Sequence, residues 1–283
     1  MFNSITTRRI ISTAFLLAMT CAVHAEALDE VKQKGILRVA VYDDLEPFSE
    51  KGKGIDVEIG KALAAKLGFK ADVFEFDAGE DMGDDFRNMI WKGHYLNPRM
   101  ADVMLHVPVD KVLMEKNDKV HIFAPYFNEQ IAVIRNTVKI PVFVGLEAFT
   151  RVKIGVEGET ISDHFMIGAL GGRFRDSVVH FKNIKLACES LVAEKIEVIM
   201  GSRSQIEACF DGKIPPKFAL TPFTDGGISV KDWNLGLAVK ADSPQLGKLL
   251  EDAMKSLRDD GTIQKIFEKH GVSYQQPMYA KKS

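Results

Sequence analysis

Three residues in the first half of the chain have side chains suited to molecular recognition. Trp91, His94 and Tyr95 place two large aromatic rings and an imidazole within five residues, and such rings anchor ligands and protein partners. The alternative interpretation is a helix end that Gly93 terminates, with the aromatic rings packed on the core. We favour recognition, because polar-tipped side chains surround the turn.

His106 and Asp110 form a second candidate group, at the carboxyl end of a predicted strand. Together with His94 they include ligand types that zinc and copper accept. Their spacing is not that of a metal motif, and single histidines of this kind are usually hydrogen-bonded structural groups. We therefore predict no metal ion and no cofactor, and a binding role for these side chains.

Carboxylates crowd one loop between residues 77 and 85. The loop lacks the regular ligand period and the final bidentate glutamate of a calcium loop. A solvated acidic loop is the favoured interpretation, and a docking patch for a basic partner is the alternative. The carboxylates are Asp77, Glu80, Asp81, Asp84 and Asp85.

The second half of the chain places polar residues after two predicted strands. Glu157, Glu159 and Thr160 lie at a strand-to-helix turn, where backbone N–H groups often bind an anion. Two glutamates repel an anion, so the turn predicts a cationic or neutral contact. Ser202 and Arg203 follow the next strand. Arg203 is either a carboxylate ligand or a surface charge, and the sequence leaves both open.

No catalytic motif accompanies these groups. The chain contains no Gly-x-Ser-x-Gly, no His-Glu-x-x-His and no phosphate-binding loop, so we predict that it is not an enzyme. Its formal net charge is −2 at pH 7, with both signs interspersed. This charge pattern provides no basic surface for nucleic acid.

The first 25 residues follow the pattern of a secretory signal peptide. A pair of arginines precedes an apolar run at 10–23, and Ala25 is a small residue suited to cleavage. The run is shorter than the ~20 residues that span a bilayer, so we predict cleavage and a periplasmic protein. Cys188 and Cys209 remain after cleavage. In an oxidising compartment they are either a disulfide pair or two small buried side chains.

Apolar periodicity predicts the elements that position these groups. β-branched runs such as 36–41 and 101–106 alternate with helical patterns such as 55–67, which is typical of βαβ units. Two such sets predict two open-sheet lobes with a ligand cleft at the carboxyl ends of the strands. The predicted organisation is a signal peptide at 1–25, lobe one at 26–125 and 237–283, lobe two at 131–232, and hinges at 126–130 and 233–236.

The chain resembles the periplasmic solute-binding proteins of the polar amino-acid type, family 3. The segments that carry the resemblance are 35–40, 47–48, 54–59, 123–126 and 260–271. The resemblance implies an α/β, two-lobed periplasmic-binding-protein-like fold of type II. Two open mixed sheets flanked by helices would be joined by two hinge strands.

Two departures from that family concern the ligand. Its amino-acid binders carry an arginine before the Pro-Tyr segment that holds the ligand carboxylate, and an aspartate in lobe two that holds the ammonium group. This chain has no arginine between residues 105 and 115, and it has Arg203 near the expected aspartate. Both anchors for a zwitterion are missing, so we predict that the ligand is not an ordinary amino acid.

Segments 85–95 and 101–110 resemble the accessory J proteins of quinoprotein methanol dehydrogenase systems, the MxaJ/XoxJ type. This resemblance implies a non-enzymatic periplasmic protein that helps to mature or activate a PQQ-containing methanol dehydrogenase through its cleft. The alternative is the substrate-binding receptor of an ABC transporter, whose partners are a small solute and a permease. For either function the predicted cleft contacts are Tyr42, Asp43, Asp44, Trp91, His94, Tyr95, His106, Asp110, Tyr126, Thr160, Ser202 and Arg203.

Overall fold

The computed structural model describes residues 27–224, 227–228 and 230–278. The predicted leader at 1–25 lies outside this part of the chain. None of the helices described is long and apolar enough to cross a membrane.

The strands are β1 (Ile36–Tyr42), β2 (Lys70–Phe76), β3 (Val103–Pro108), β4 (Val120–Asn136), β5 (Ile154–Glu157), β6 (Val178–Phe181), β7 (Val198–Ser202), β8 (Phe218–Pro222) and β9 (Asp232–Lys240). The helices are α1 (Ala27–Lys34), α2 (Ile55–Lys66), α3 (Met82–Phe86), α4 (Lys111–Lys116), α5 (Ile161–Gly172), α6 (Ile184–Val192), α7 (Arg203–Ala208), α8 (Pro244–Asp259) and α9 (Thr262–Lys269), with a π-helical turn at Arg87–Trp91 and a 3₁₀ turn at Leu146–Phe149.

Local sequence explains where the helices that border the site begin. In α2, Ile55, Ile59 and Leu63 recur at a spacing of four and are buried on one face. Thr160 is the N-cap of helix α5. Its hydroxyl accepts a hydrogen bond from the backbone N–H of Asp163 at 3.3 Å. Such a cap satisfies one of the backbone donors that a helix start leaves free. The apolar face therefore accounts for the packing of α2, which follows β1, and the cap accounts for the start of α5, which follows β5.

The strands form two mixed sheets that share a long strand. Their order is β2-β1-β3-β9-β4-β7-β5-β6, with β8 paired to β4. β1 runs parallel to β2 and β3, whereas β9 is antiparallel to β3 and β4. Strand β4 has 17 residues; its part at 120–130 pairs with β9, and its part at 131–136 pairs with β7 and β8. β4 and β9 thus run side by side where the two sheets meet.

Each sheet has its own hydrophobic core. Leu37 and Ile59 belong to a cluster of the first sheet, which also contains Leu250 of α8 and Phe267 of α9. Val133 belongs to a separate cluster of the second sheet. The predicted α/β fold with two lobes is confirmed. The exact lobe and hinge boundaries stay a prediction.

The elements without a counterpart in the sequence prediction include α1, α4 and β8. Helix α4 contains no buried residue, so it lacks the apolar periodicity that identifies a helix. Strand β8 is short, with one fully buried residue. The strand predicted at 101–106 lies two residues further along, at Val103–Pro108. His106 is therefore inside β3 and not at its end.

Cys188 in α6 and Cys209 at the end of α7 are joined by a disulfide. Their Cα atoms are 6.4 Å apart, within the range that a disulfide can bridge. Of the two alternatives that the sequence left open, the structure contains the bridge. It links two helices whose amino ends border the candidate site.

Candidate functional site

The carboxyl end of β1 places three predicted residues at one edge of the first sheet. Tyr42 ends the strand, and its hydroxyl donates to Asp85 Oδ2 at 2.7 Å. Burial raises the pKa of Tyr42, and the neighbouring Asp85 raises it further. Asp43 and Asp44 follow in an exposed loop. In open α/β sheets a ligand cleft forms at this edge.

His106, Asp56 and Tyr126 form a buried hydrogen-bonded group beside the same edge. The Tyr126 hydroxyl donates to Asp56 Oδ1 at 2.6 Å, and His106 Nδ1 lies 2.9 Å from Asp56 Oδ2. The backbone N–H of His106 donates to the Tyr126 hydroxyl oxygen at 3.2 Å. Burial, followed by the effect of Asp56, raises the pKa of Tyr126, so this hydroxyl remains a donor. The group ties β3 and α2 to β4, and leaves 17% of the His106 side chain exposed.

Glu129 makes a second buried contact where β4 passes between the sheets. Its carboxylate accepts hydrogen bonds from the Ser204 hydroxyl and from the Gln130 backbone N–H. Burial raises the pKa of Glu129, and these hydrogen bonds act in the opposite direction. Because Ser204 belongs to α7, the contact connects β4 to the helix that follows β7.

A cavity of about 190 Å³ opens at the edge of the second sheet. Glu157 at the end of β5, Gln205 in α7 and Trp233 in β9 lie in its wall. Burial raises the pKa of Glu157, the Gln205 side chain and the Ile184 backbone N–H oppose the shift by hydrogen bonding, and the charge of Asp44 adds to it. The charge of Asp44, a residue of the first lobe, therefore affects the pKa of the Glu157 carboxylate in the second lobe. The remaining lining residues are Ile131, Thr160, Ile161, Ser162, Ile184, Gly201 and Ser202.

Two ion pairs connect the lobes near Ile184, a lining residue that Lys185 follows in the chain. Lys182 Nζ lies 3.3 Å from Asp44 Oδ2, and Lys185 Nζ lies 3.0 Å from Glu46 Oε2. All four side chains are exposed, so water screens both pairs and each contributes little to stability. The two pairs therefore lie between the loop after β1 and the segment that leads from β6 into α6, and they hold these segments together only weakly.

Of the predicted contacts in the second lobe, Thr160 and Ser202 line the cavity. The Thr160 hydroxyl also donates to the Glu157 carbonyl oxygen at 2.8 Å, so it is engaged within the turn. Arg203 is not among the lining residues, and its Nε lies 2.8 Å from Glu207 Oε1 within α7. Glu207 therefore balances the charge that the sequence offered as a carboxylate ligand.

Of the predicted cleft contacts Trp91, His94 and Tyr95, the structure places Trp91 at another edge of the first sheet. Lys119 Nζ lies 3.9 Å from the centroid of the Trp91 ring, and Lys119 immediately precedes β4. β4 runs parallel to β3 in this sheet, because both are antiparallel to β9. The start of β4 thus lies at the amino end of β3. Trp91 therefore lies at the edge opposite the cleft. We name residues 91–96 the Trp91 segment.

Within the Trp91 segment the residues divide between packing and exposure. Trp91 packs against the core of the first sheet. Tyr95 and Leu96 are 86% and 75% exposed, and the His94 ring centroid lies 4.6 Å from that of Tyr95. Trp91 therefore has the packed position of the structural interpretation, whereas recognition by Tyr95 stays a prediction.

Two other predicted cleft contacts have structural roles instead. The Asp110 carboxylate accepts a hydrogen bond from the Leu113 backbone N–H at 2.8 Å and caps α4. Tyr126 has no exposed surface and donates to Asp56, as described above. Neither side chain lines the cavity.

One carboxylate of the acidic loop is buried, whereas Asp77, Glu80 and Asp81 are exposed. Asp85 is 4% exposed and also accepts a hydrogen bond from the Gly79 backbone N–H at 2.7 Å. Burial raises the pKa of Asp85, although its hydrogen bonds lower it. The Asp81 carboxylate caps α3 by accepting from the backbone N–H of Asp84. Two of the carboxylates thus stabilise the loop itself.

Sequence reasoning did not identify Asp56, Gln205 and Trp233 as parts of the site. Asp56 had a signal, since it is an acidic residue between the apolar Ile55 and Val57 at the start of α2. No sequence pattern marked Gln205 or Trp233 as part of the site. In the part of the chain that the structure describes, no cluster of three or more His, Cys, Asp or Glu side chains is arranged to hold a metal ion.

Comparison with known proteins identifies the fold. No protein-family model matches the sequence, and no curated protein matches it significantly. Among solved structures, an ancestral cationic amino acid solute-binding protein superposes with a TM-score of 0.67 at 20% identity, covering 86% of this chain and 99% of its own. An amino acid ABC transporter substrate-binding protein from Streptococcus pneumoniae, bound to L-arginine, gives a TM-score of 0.60 at 19% identity, covering 89% and 99%. The second substrate-binding domain of Lactococcus lactis GlnP, in an open conformation, gives 0.58 at 19% identity, covering 84% and 96%. The chain has the two-lobed fold of these solute-binding proteins.

Proposed function

We propose that the protein is a non-enzymatic periplasmic receptor that binds a small solute between its lobes and delivers it to an ABC permease. The cavity beside Glu157 carries this proposal, because it lies at the carboxyl ends of strands, next to ion pairs that join the two lobes. Ligands of open α/β proteins bind at this position. The neighbours of the same fold add support, since one is an ABC transporter substrate-binding protein and another is a substrate-binding domain.

Standard amino acids do not match the cavity. Amino-acid binders of this fold pair the α-carboxylate with an arginine, and the described lining residues include no arginine, lysine or histidine. Arg203, the nearest candidate in the sequence, is paired with Glu207. The solute of this receptor is therefore a molecule other than a standard amino acid.

The receptor proposal predicts a solute in protein that is purified directly from the periplasm. Native mass spectrometry should detect it, and the isolated solute should stabilise the stripped protein by about 2.7 kcal/mol at a hundredfold excess over its dissociation constant. The standard amino acids, tested one at a time, should leave the melting temperature unchanged. A reproducible micromolar response to any of them would contradict this expectation.

A second candidate function is that of an accessory protein of quinoprotein methanol dehydrogenase. The observation that favours it is the exposed end of the Trp91 segment, which belongs to the sequence that resembles the MxaJ/XoxJ proteins. An aromatic ring with 86% exposure, beside an exposed leucine, is a feature of protein-binding surfaces. Docking through this segment would leave the cleft free, so it differs from the cleft clamp that the sequence suggested.

The accessory function predicts that the dehydrogenase co-purifies from methanol-grown periplasm and that Tyr95→Ala weakens the complex. An aromatic residue at the centre of an interface contributes about 2 kcal/mol or more, which is roughly a thirtyfold loss of affinity. Val138→Ala is the matched control, because Val138 is 76% exposed and lies in the turn after β4. Absence of the dehydrogenase from the purified material, with unchanged dehydrogenase activity in a deletion strain, would exclude this candidate.

A further inference from the structure

We propose that the cavity beside Glu157 is selective for a small organic monocation that has an apolar body and no carboxylate. The inference rests on the proposed receptor function, and it names the class of solute. An alkylammonium or quaternary ammonium compound has this chemistry. Its charge would lie against the Glu157 carboxylate, and its carbon atoms against the apolar wall.

The charges of the cavity support a cationic ligand. Among the described residues that line it, Glu157 is the only one with an ionisable side chain. Lys182 and Lys185 form ion pairs with Asp44 and Glu46 of the opposite lobe. Among the described lining residues, no positively charged side chain therefore competes with an incoming cation for the Glu157 carboxylate.

Burial makes the Glu157 carboxylate a strong acceptor for such a ligand. The surrounding protein raises the pKa of Glu157, which means that its negative charge is poorly solvated. Gln205 and the backbone N–H of Ile184 satisfy it only in part, since the pKa stays above its usual value. A bound cation would balance this charge, and Asp44 would contribute attraction in the same direction.

Apolar side chains make up much of the rest of the wall. They are those of Ile131, Ile161, Ile184 and Trp233. An indole face attracts alkylammonium groups by a cation–π interaction. A cavity of ~150 Å³ holds benzene, so the 190 Å³ here suits a compact molecule.

An anion or a zwitterion fits less well. A ligand carboxylate inside this space would lie close to Glu157 without a cation to balance it. The hydroxyl of Thr160, a group of the kind that binds anions, is engaged with the Glu157 carbonyl and the Asp163 N–H. The Glu157 charge that favours a cation thus repels the carboxylate of an anion or an amino acid.

The test compares each cation with a neutral molecule of the same shape. Calorimetry on the stripped, full-length protein would use choline against 3,3-dimethylbutan-1-ol, and propylammonium against propan-1-ol, with butyrate as the anion. At least one cation should bind tenfold or more tightly than its neutral isostere, and butyrate should not bind. This comparison needs no variant, so a folding defect cannot affect it.

A charge-neutralising variant tests the role of Glu157 itself. Glu157→Gln should remove the preference for the cation and bring both isosteres to the same weak affinity. Glu159→Gln is the control, because Glu159 is an exposed carboxylate of the same turn that does not line the cavity. The control should bind the cation like the unchanged protein.

The outcomes separate this inference from the receptor function. Equal binding of cation and isostere, or an unchanged preference in Glu157→Gln, would overturn the inference. A neutral or anionic solute in the periplasmic protein would also overturn it, while leaving the receptor function intact. Absence of any solute by native mass spectrometry, together with recovered dehydrogenase, would overturn the receptor function.

Discussion

Asp56→Ala is expected to lower the free energy of unfolding by about 3 kcal/mol or more. The carboxylate is completely buried, and it is the partner of the Tyr126 hydroxyl and of His106 Nδ1 at 2.6 Å and 2.9 Å. Its removal would leave two polar groups without their main partner in the interior. Each unsatisfied buried group costs about 1–3 kcal/mol, and the cavity left by the side chain adds to the loss.

Urea unfolding monitored by circular dichroism would measure the effect. Glu58→Ala is a matched control on the same helix, since Glu58 pairs with Lys269 near the surface and is only partly buried. We expect the control to cost about 1 kcal/mol or less. A loss for Asp56→Ala that does not exceed that of Glu58→Ala would show that the buried group contributes little to stability.

Tyr126→Phe tests whether the three residues act together. It removes one hydroxyl and leaves the ring in place, so by itself it should cost about 1–2 kcal/mol. In the double variant with Asp56→Ala the losses should be less than additive, because the same hydrogen bond is removed in both. Strict additivity would mean that the hydroxyl and the carboxylate contribute independently.

The fold was accessible from the sequence because its elements have clear periodicity. The buried face of α2 repeats every four residues, and β1, β5 and β7 are largely apolar runs. The two-lobed arrangement then followed from the order of these elements. Short elements with little buried surface, such as α4, carry no such signal and were missed.

The site was only partly accessible, because positions after a strand and positions before a strand lie at opposite edges of a sheet. Glu157 ends β5 and Thr160 follows it, so both lie at the carboxyl end of the strand, as the sequence predicts. The Trp91 segment comes after the crossover from β2 and before β3, and such a crossover returns the chain to the amino ends of the strands. Its richness in aromatic residues said nothing about this direction.

Contacts between distant parts of the chain were the other limit. His106 and Tyr126 bind Asp56 over separations of 50 and 70 residues, and no local pattern encodes such a partnership. His106 was predicted to be a cleft group because of its position after an apolar run. Its ring is in fact held mainly by a buried carboxylate and lies 4.4 Å, centroid to centroid, from the Phe48 ring.

Gly54→Ala is expected to destabilise the protein by about 3 kcal/mol or more, and to disturb the cleft edge as well. Gly54 has a φ of 125°, a conformation that L residues rarely adopt. A Cβ atom at this position would lie 2.3 Å from the Phe48 carbonyl oxygen and 2.8 Å from the Ser49 nitrogen. Both are backbone atoms and cannot rotate away. Strain of ~1–3 kcal/mol and an overpacking cost of ~1–3 kcal/mol therefore add.

The clash would also reach the candidate site, because the same backbone positions α2. The N–H of Asp56 donates to the Phe48 carbonyl oxygen at 2.8 Å, so moving Phe48 would shift Asp56 relative to His106. Gly35→Ala separates the two causes, since Gly35 has a φ of 63° but a Cβ atom there would meet nothing within 4 Å. That control should lose only the ~1–2 kcal/mol of a left-handed residue. Denaturant unfolding of both variants measures the difference, and equal losses would mean that the close approach of Phe48 relaxes without cost.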